Sequence, residues 1–178
     1  AAVNYLGHYT LTHLLLPIMG QGTRVVSMVS IAYALGKIKE NFLAAKTDKE
    51  FNRFTTYGNS KLALYYFTLD AAEAWKERRI CVNVADPDIV STGIIRQDVV
   101  VVDKLCDWFF RPFINTPEQG AATMLAAAMN PEFEGVTGQY FKKKKVKAPK
   151  KRFYNNIEER KILRDITRKV LEENNIVL

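Results

Sequence analysis

The sequence predicts an α/β fold, in which a parallel sheet carries helices on both of its faces. Three stretches rich in β-branched or apolar residues, at 23–30, 80–85 and 135–141, are typical of buried strands. Long segments with helical periodicity separate them, and strands joined through long helices pair in parallel. Three strands are few for this architecture, so the sequence predicts an incomplete sheet.

The helices are predicted from apolar spacing and from capping residues. The segment from residue 56 repeats apolar residues at helical spacing and becomes basic toward its end. The segment from residue 116 begins with threonine, proline and glutamine at the positions of a capping box. The predicted helices cover about 2–19, 39–46, 56–79, 104–113, 116–129 and 156–174.

Composition indicates a soluble globular domain. The 178 residues are 48% hydrophobic and 25% charged, and no apolar run reaches the roughly 18 residues of a membrane span. Cys81 and Cys106 form no disulfide framework, and no signal peptide is recognised. His8 and His13 face different sides of their predicted helix, so no metal site is expected. We expect a cytoplasmic protein, with a membrane-peripheral location as the alternative.

Positive charge concentrates near the C-terminus. Residues 142–169 hold 13 lysines and arginines against three acidic residues. The densest part, 142–153, fits a solvated basic segment or a surface that binds anionic membranes. It carries no signature of a nucleic-acid-binding fold, so nucleic acid is not an expected partner.

A tyrosine precedes a lysine by four residues at three places in the chain. Only the pair Tyr57 and Lys61 lies in a predicted helix, where residues four apart share a face. A nearby cation lowers the pKa of a tyrosine, as acid/base catalysis near neutral pH requires. Ser30 ends the first predicted strand, where ligands gather in open α/β sheets. From these residues alone, a catalytic pair and a structural tyrosine stay equally open. The other two pairs are Tyr33 with Lys37 and Tyr140 with Lys144.

The stretch "YGNSK" (57–61), after a strand that ends in serine, resembles the signature of the short-chain dehydrogenase/reductase family. Four further stretches resemble the family in the same order, and the last is most similar to the retinol dehydrogenase-like branch. The resemblance covers about residues 1–141 and implies a Rossmann-type parallel sheet, followed by a basic connection and a C-terminal helix at 142–178. The four stretches are "NYLGHYTLTHLLLP" (4–17), "RVVSMVSIAY" (24–33), "VNVADPDIVSTGI" (82–94) and "TPEQGAATMLAAAMNPEFEGVTGQYF" (116–141).

The resemblance implies a role for each matching residue in the NAD(P)-dependent interconversion of an alcohol and a carbonyl, with NADP preferred over NAD. Tyr57 would be the general acid/base, and Lys61 would hold the nicotinamide ribose and lower the tyrosine pKa. Ser30 would bind the substrate oxygen, and Asn4 would hold a water in the proton relay. The further cofactor-binding residues would be Pro87, Asp88, Ile89 and Thr92.

The sequence departs from the family pattern at three places. Val29 replaces the first of two serines, and Asp88 replaces a glycine. An aspartate tolerates positive φ less well than glycine and would place negative charge near the cofactor. The family's Gly-rich phosphate turn is not found, because "GQGTRV" (20–25) follows a helix and precedes a strand. We therefore expect the chain to correspond to the C-terminal half of the family's fold.

Substrate and partners are predicted from the same resemblance. The segment 99–113 is rich in valine and aromatic residues and would cover an apolar, retinoid-, steroid- or lipid-like substrate, although core packing explains it equally well. A homodimer through helices 2–19 and 56–79 is expected. The alternative function is a non-catalytic fragment or interaction module that binds no cofactor by itself and pairs through the exposed edge of strand 23–30.

Overall fold

The computed structural model describes residues 1–44, 47, 51–88, 116–148 and 150–178. Within these residues four strands form one sheet in the order β1-β2-β3-β4. The first three strands are parallel to one another, and β4 pairs antiparallel with β3. The strands are β1 (Arg24–Met28), β2 (Cys81–Asp86), β3 (Tyr140–Lys142) and β4 (Lys145–Lys147).

The central strand β2 is buried along its whole length, as expected for a strand covered on both faces. Its polar residue Asn83 bonds the segment that leads into β3: the side-chain amide donates to Val136 O at 2.7 Å and accepts from Gln139 N at 3.0 Å. Cys81 is a buried free thiol, and Cys106 lies outside the described residues. Burial and satisfied polar groups together fix β2 as the centre of the parallel sheet.

The predicted helices are largely confirmed, with two corrections. Residues 2–18 are helical but irregular, with a π-helical turn (Ala2–Leu6) before α1 and a 3₁₀ turn (Leu16–Ile18) after it. The short helix expected at 39–46 is not formed over residues 39–44, and the expected helix at 104–113 lies outside the described residues. The α-helices are α1 (Gly7–Leu15), α2 (Arg53–Ala74), α3 (Pro117–Met129), α4 (Lys151–Tyr154) and α5 (Ile157–Glu173).

Helices cover both faces of the sheet, as predicted. On one face, α2 packs with Val82 and Val84 of β2 into the larger hydrophobic core. On the other face, Ala127 of α3 packs against Ala85 and Phe141 in a smaller cluster. The two clusters take alternate residues of β2, because successive side chains of a strand point to opposite faces.

The strand β4 was not predicted, and the third predicted strand at 135–141 is shorter than expected. Residues 135–139 form an irregular approach in which Gly135 and Gly138 adopt φ of 74° and 70°. The basic connection that follows contains β4 and the short helix α4, and its residues 143–148 are exposed. A run of lysines has low β-propensity, which explains why the sequence did not indicate a strand there.

The C-terminal helix α5 packs onto α2 and onto the N-terminal turn. The buried Arg160 lies 2.5 Å from Asp70 and 2.9 Å from Glu73, both in α2. The Tyr5 hydroxyl and the Thr167 hydroxyl form a buried hydrogen bond of 2.8 Å. The first contact joins α5 to α2, and the second joins α5 to the N-terminal turn.

The burial of α2 within the chain is relevant to the expected homodimer. Apart from the half-buried Lys61 and Asp70, every residue from Gly58 to Ala72 is buried within the chain. These buried residues pack on β2, on the segment after β1, on the N-terminal turn and on α5. The homodimer through helices 2–19 and 56–79 stays a prediction. Exposed apolar residues of the N-terminal segment include Val3, Leu11, Leu14 and Ile18. Among the described residues, no helix has both the length and the apolar character needed to cross a membrane.

Candidate active site

The position of Tyr57 is fixed by a close approach between two glycines. A Cβ at Gly36 would lie 2.7 Å from Gly58 O and 2.8 Å from Leu62 Cβ, and a Cβ at Gly58 would lie 2.9 Å from Ala32 O. Real Cβ atoms do not approach so closely, so the first turns of α2 can touch the segment after β1 only because both positions lack a side chain. The backbone contact holds Tyr57 beside the residues that follow Ser30.

The residues between Tyr57 and Lys61 have structural roles of their own. The Asn59 side chain accepts a hydrogen bond of 2.9 Å from Lys37 N. The Ser60 hydroxyl donates to Tyr57 O at 2.8 Å and accepts from the Asn4 side-chain amide at 3.2 Å. Asn4 is thus tied to the beginning of α2, from within a π-helical turn of the kind that often occurs at functional sites. Its role in a proton relay stays a prediction.

Lys61 joins α2 to the carboxyl end of β1. Its ammonium Nζ donates to Met28 O at 2.9 Å and lies 5.8 Å from the centroid of the Tyr57 ring. Partial burial lowers the pKa of Lys61 from its ordinary value. The structure therefore brings the predicted pair together and directs the lysine toward the strand end that leads to Ser30.

Ser30 follows β1 in extended backbone and caps the 3₁₀-helix Ile31–Leu35. Its hydroxyl oxygen accepts a hydrogen bond of 3.4 Å from Ala32 N. The cap places a half-buried hydroxyl at the carboxyl edge of the sheet, near the N-terminal part of α2. This is the placement that the sequence predicted.

Exposure separates Tyr57 from the tyrosines of the other two Tyr-x-x-x-Lys pairs. Tyr57 is 41% exposed, whereas Tyr33 is 2% exposed and stacks on Tyr65 with ring centroids 4.9 Å apart. Tyr140 is also buried, and its hydroxyl donates to Asp86. Among the three, Tyr57 alone is open to a substrate.

The carboxyl end of β2 carries a cluster of charged side chains that sequence reasoning missed. Asp86 is fully buried and accepts hydrogen bonds from the Tyr140 hydroxyl and from Asp88 N, the latter at 2.9 Å. The Lys142 ammonium lies 3.5 Å from Asp86 and 2.6 Å from Asp88. Burial first, and then the neighbouring Asp86 carboxylate, raise the pKa of the Tyr140 hydroxyl. An aspartate directly after a buried apolar strand signals such a partner, because buried charges are paired.

Asp88 adopts φ of 60°, a left-handed conformation that glycine adopts more readily than aspartate. That Asp88 places negative charge near a cofactor stays a prediction; its carboxylate has a cationic partner, the Lys142 ammonium at 2.6 Å. Burial alone would lower the pKa of Lys142, but the carboxylates of Asp88 and Asp86 outweigh it and raise the pKa above its ordinary value. Pro87 lies between the two aspartates.

Part of the predicted site lies outside the described residues. This holds for Ile89, Thr92 and the segment 99–113. In the portions of the chain that the structure does describe, no three histidine, cysteine, aspartate or glutamate residues are grouped in a way that could hold a metal ion.

The sequence relatives found by comparison with known proteins include several named as dehydrogenases. Retinol dehydrogenase 14 of Homo sapiens is 36% identical over 143 residues, which are 78% of this chain and 42% of the relative. Retinol dehydrogenase 12 of Bos taurus is 37% identical over 142 residues, 79% of this chain and 44% of the relative. Polyprenol dehydrogenase of Mus musculus is 34% identical over 148 residues, with the same coverage of 79% and 44%. The chain thus spans less than half the length of the curated relatives it matches. No family model matches it.

Solved structures share the fold. An uncharacterised protein from Mycobacterium Paratuberculosis superposes with a TM-score of 0.59 at 20% identity, over 95% of this chain and 57% of that protein. A protein described as an NAD(P)-dependent gluconate 5-dehydrogenase from Beutenbergia cavernae, crystallised with NADP, gives a TM-score of 0.52 at 21% identity, over 78% and 51%. These likenesses support a Rossmann-type fold for the four strands described here. From its sequence relatives and its fold, the chain belongs to the short-chain dehydrogenase/reductase family, in the retinol dehydrogenase-like branch.

Proposed function

We propose that the chain provides the acid/base part of an NAD(P)-dependent oxidoreductase that interconverts an alcohol and a carbonyl. One observation carries the proposal: Lys61 lies between the carboxyl end of β1 and the exposed Tyr57 ring, at 2.9 Å from Met28 O and 5.8 Å from the ring centroid. Ser30 follows the same strand end. A phenol, an ammonium and a hydroxyl are thereby gathered at the sheet edge where open α/β folds bind ligands.

The residues divide the proton chemistry among them. In the direction of reduction, Tyr57 gives its phenolic proton to the substrate oxygen as that oxygen gains negative charge. The Ser30 hydroxyl donates to the same oxygen and orients it. The Lys61 ammonium stabilises the phenolate left on Tyr57, because an opposite charge favours the ionised form. In oxidation the same proton returns to Tyr57.

The described residues fit the nicotinamide end of a cofactor, which supplies the hydride chemistry when bound. Lys61 is a donor suited to ribose hydroxyls, and Lys142 cancels the charge of Asp88, which would otherwise oppose a dinucleotide. Pro87, Asp88, Ile89 and Thr92 are proposed to line the nicotinamide. We assign NADP over NAD, in line with the neighbouring structure crystallised with NADP.

The substrate proposed is an apolar primary alcohol or the matching aldehyde. Relatives are named for retinol and for polyprenol, which are both primary alcohols on apolar isoprenoid chains. A homodimer through helices 2–19 and 56–79 and a peripheral membrane location complete the proposal.

A second candidate is a non-catalytic interaction module. Two observations favour it: β1 is an end strand of the sheet formed by the described residues, and no Gly-rich phosphate turn is recognised in the sequence. An open strand edge can pair with another polypeptide.

Titration of the 178-residue chain with NADPH, NADH and reduced nicotinamide mononucleotide, followed by nicotinamide fluorescence, separates the two candidates. The mononucleotide tests the nicotinamide end by itself. We expect saturable binding, weakened about tenfold by Lys61→Met and unchanged by Lys76→Met, an exposed lysine beyond the end of α2. If none of the three saturates at millimolar concentration, the interaction module is the better account.

A further inference from the structure

The turn between β3 and β4 holds two lysines in a backbone conformation that disfavours lysine. Lys142 and Lys145 are paired across the hairpin, so Lys143 and Lys144 form a two-residue loop. Their φ angles are 51° and 58°. Tight hairpin turns with positive φ at both central residues strongly prefer Asn-Gly, because L side chains crowd the backbone there.

The charges of this hairpin oppose its formation as well. Residues 142–152 contain eight lysines and arginines and no acidic residue. Lys145 lies directly opposite Lys142, a like-charge pair that destabilises a hairpin. Lys142 has carboxylate partners, but within the described part of the chain no ion pair forms at the exposed Lys143, Lys144, Lys145 or Lys147. Lys144 N donates a hydrogen bond of 3.3 Å to Thr123 Oγ1 of α3, which supports the turn backbone, but the described ion pairs do not explain the charge of the turn.

The hairpin projects from the edge of the sheet that carries the candidate site. The strand β3 is parallel to β1 and β2, so its carboxyl end at Lys142 lies at the same edge as Ser30 and Asp86. Lys142 contacts Asp86 and Asp88 directly. Between the turn lysines and Lys147, Val146 leaves an apolar side chain 38% exposed.

We infer that the lysine turn, defined as residues 142–147, docks on the anionic phospholipid surface of a membrane. Clusters of four to eight cations bind such surfaces, and the exposed apolar residue among them suits the boundary between headgroups and acyl chains. Docked in this way, the turn brings the carboxyl edge of the sheet to the bilayer. An apolar alcohol could then pass from the lipid to the candidate site, a consequence that rests on the proposed function. The docking specifies the surface behind the peripheral membrane location proposed above, but it does not require catalysis.

The test compares co-sedimentation of the 178-residue chain with vesicles of phosphatidylcholine alone and with vesicles that contain 30% phosphatidylserine. The decisive variant is the double substitution Lys143→Asn/Lys144→Gly, which removes two charges and installs the residues that the turn geometry prefers. Its matched control is Lys161→Gln/Lys169→Gln, which removes two exposed charges from α5.

We expect binding only to the phosphatidylserine vesicles, decreasing with added salt because exposed charges are screened. Partition of the Lys143→Asn/Lys144→Gly variant should weaken by roughly 30-fold, as the loss of two surface cations implies, while its melting temperature stays equal or rises. The control should bind within about threefold of the wild type. Equal binding to neutral vesicles, full binding by the turn variant, or tighter binding to duplex DNA or RNA than to anionic vesicles would overturn the inference. Vesicle binding is measured without enzymatic activity, so a failure of the docking can be distinguished from a failure of the proposed catalysis.

Discussion

The carboxyl ends of β1 and β2 are neighbours in the sheet, yet different forces hold the side chains that follow them. After β1, backbone packs directly on backbone where Gly36 meets Gly58, and this contact positions Tyr57 and Lys61. At the end of β2, the buried carboxylate of Asp86 contacts the Tyr140 phenol and the Lys142 ammonium. The first end retains the residues of the family signature, and the second departs from them.

The two strand ends differ in what constrains the side chains that they can hold. Asp88 adopts a positive φ, which suits glycine better than aspartate, and its carboxylate pairs with Lys142. The packing at the end of β1 leaves no room for a side chain, because a Cβ at Gly36 or Gly58 would push α2 away from the segment that follows Ser30. Steric fit therefore constrains one end of the site, and charge balance constrains the other.

The largest effect is expected at the glycine contact. Gly36 has φ of −72°, which alanine adopts freely, so Gly36→Ala tests steric fit alone. The added Cβ would meet Gly58 O at 2.7 Å, and we expect unfolding free energy to decrease by about 3 kcal/mol. Urea denaturation measures the change. Gly20→Ala is the control, because no atom lies within 4 Å of its added Cβ. If Gly36→Ala and Gly20→Ala lowered the unfolding free energy by similar small amounts, the steric constraint at the end of β1 would be contradicted.

The next effect concerns the buried carboxylate of β2. Asp86→Ala leaves the Tyr140 hydroxyl and the Lys142 ammonium without their buried partner, and we expect a loss of about 2 kcal/mol in urea denaturation. Adding Tyr140→Phe should then do little further harm, because the unpaired hydroxyl is removed as well. A double variant whose loss equals the sum of the two single losses would show that Asp86 and Tyr140 act independently.

A smaller change in stability is expected at Asp88, where two substitutions separate the contribution of charge from that of backbone conformation. Asp88→Ala removes the ion pair but keeps a side chain at φ of 60°, whereas Asp88→Gly removes the ion pair and relieves the backbone. We expect the glycine variant to be more stable than the alanine variant by about 1 kcal/mol, and close to the wild type. Thermal unfolding of the three proteins measures this order. An alanine variant as stable as the glycine variant would exclude backbone strain at this position.

The last effect appears only in alkaline solution. Burial and Asp86 raise the pKa of Tyr140 in the folded state above the ordinary value of 10.0. Its contribution to stability is therefore complete below about pH 10 and is lost as pH rises further, because the unfolded chain ionises first. Tyr140→Phe should flatten the decline of unfolding free energy between pH 9 and 11, relative to the wild type. Equal slopes would show that Tyr140 does not ionise differently on folding.

Local patterns predicted much of this molecule. The helix α2, the parallel strands and the placement of Tyr57, Lys61 and Ser30 follow from periodicity, from order along the chain and from resemblance. Sequence patterns did not predict the features that depend on tertiary contacts. The lysines of β4 lack strand propensity, and Lys142 comes to lie beside Asp86 through the order of the strands in the sheet. Likewise, the fit between Gly36 and Gly58 joins residues of two separate elements, and no local signal marks it.

The central claim is that Tyr57, held by Lys61 at the end of β1, transfers the proton of an alcohol–carbonyl reaction. It is tested most directly by the rate at which the chain consumes NADPH with retinaldehyde in detergent micelles. The comparison is between Tyr57→Phe and Tyr154→Phe, a control at a tyrosine that is 45% exposed in the separate helix α4. We predict a rate at least 100-fold lower for Tyr57→Phe and an unchanged rate for Tyr154→Phe. Equal rates in the two variants, or no aldehyde-dependent consumption of NADPH by the wild type, would contradict the claim.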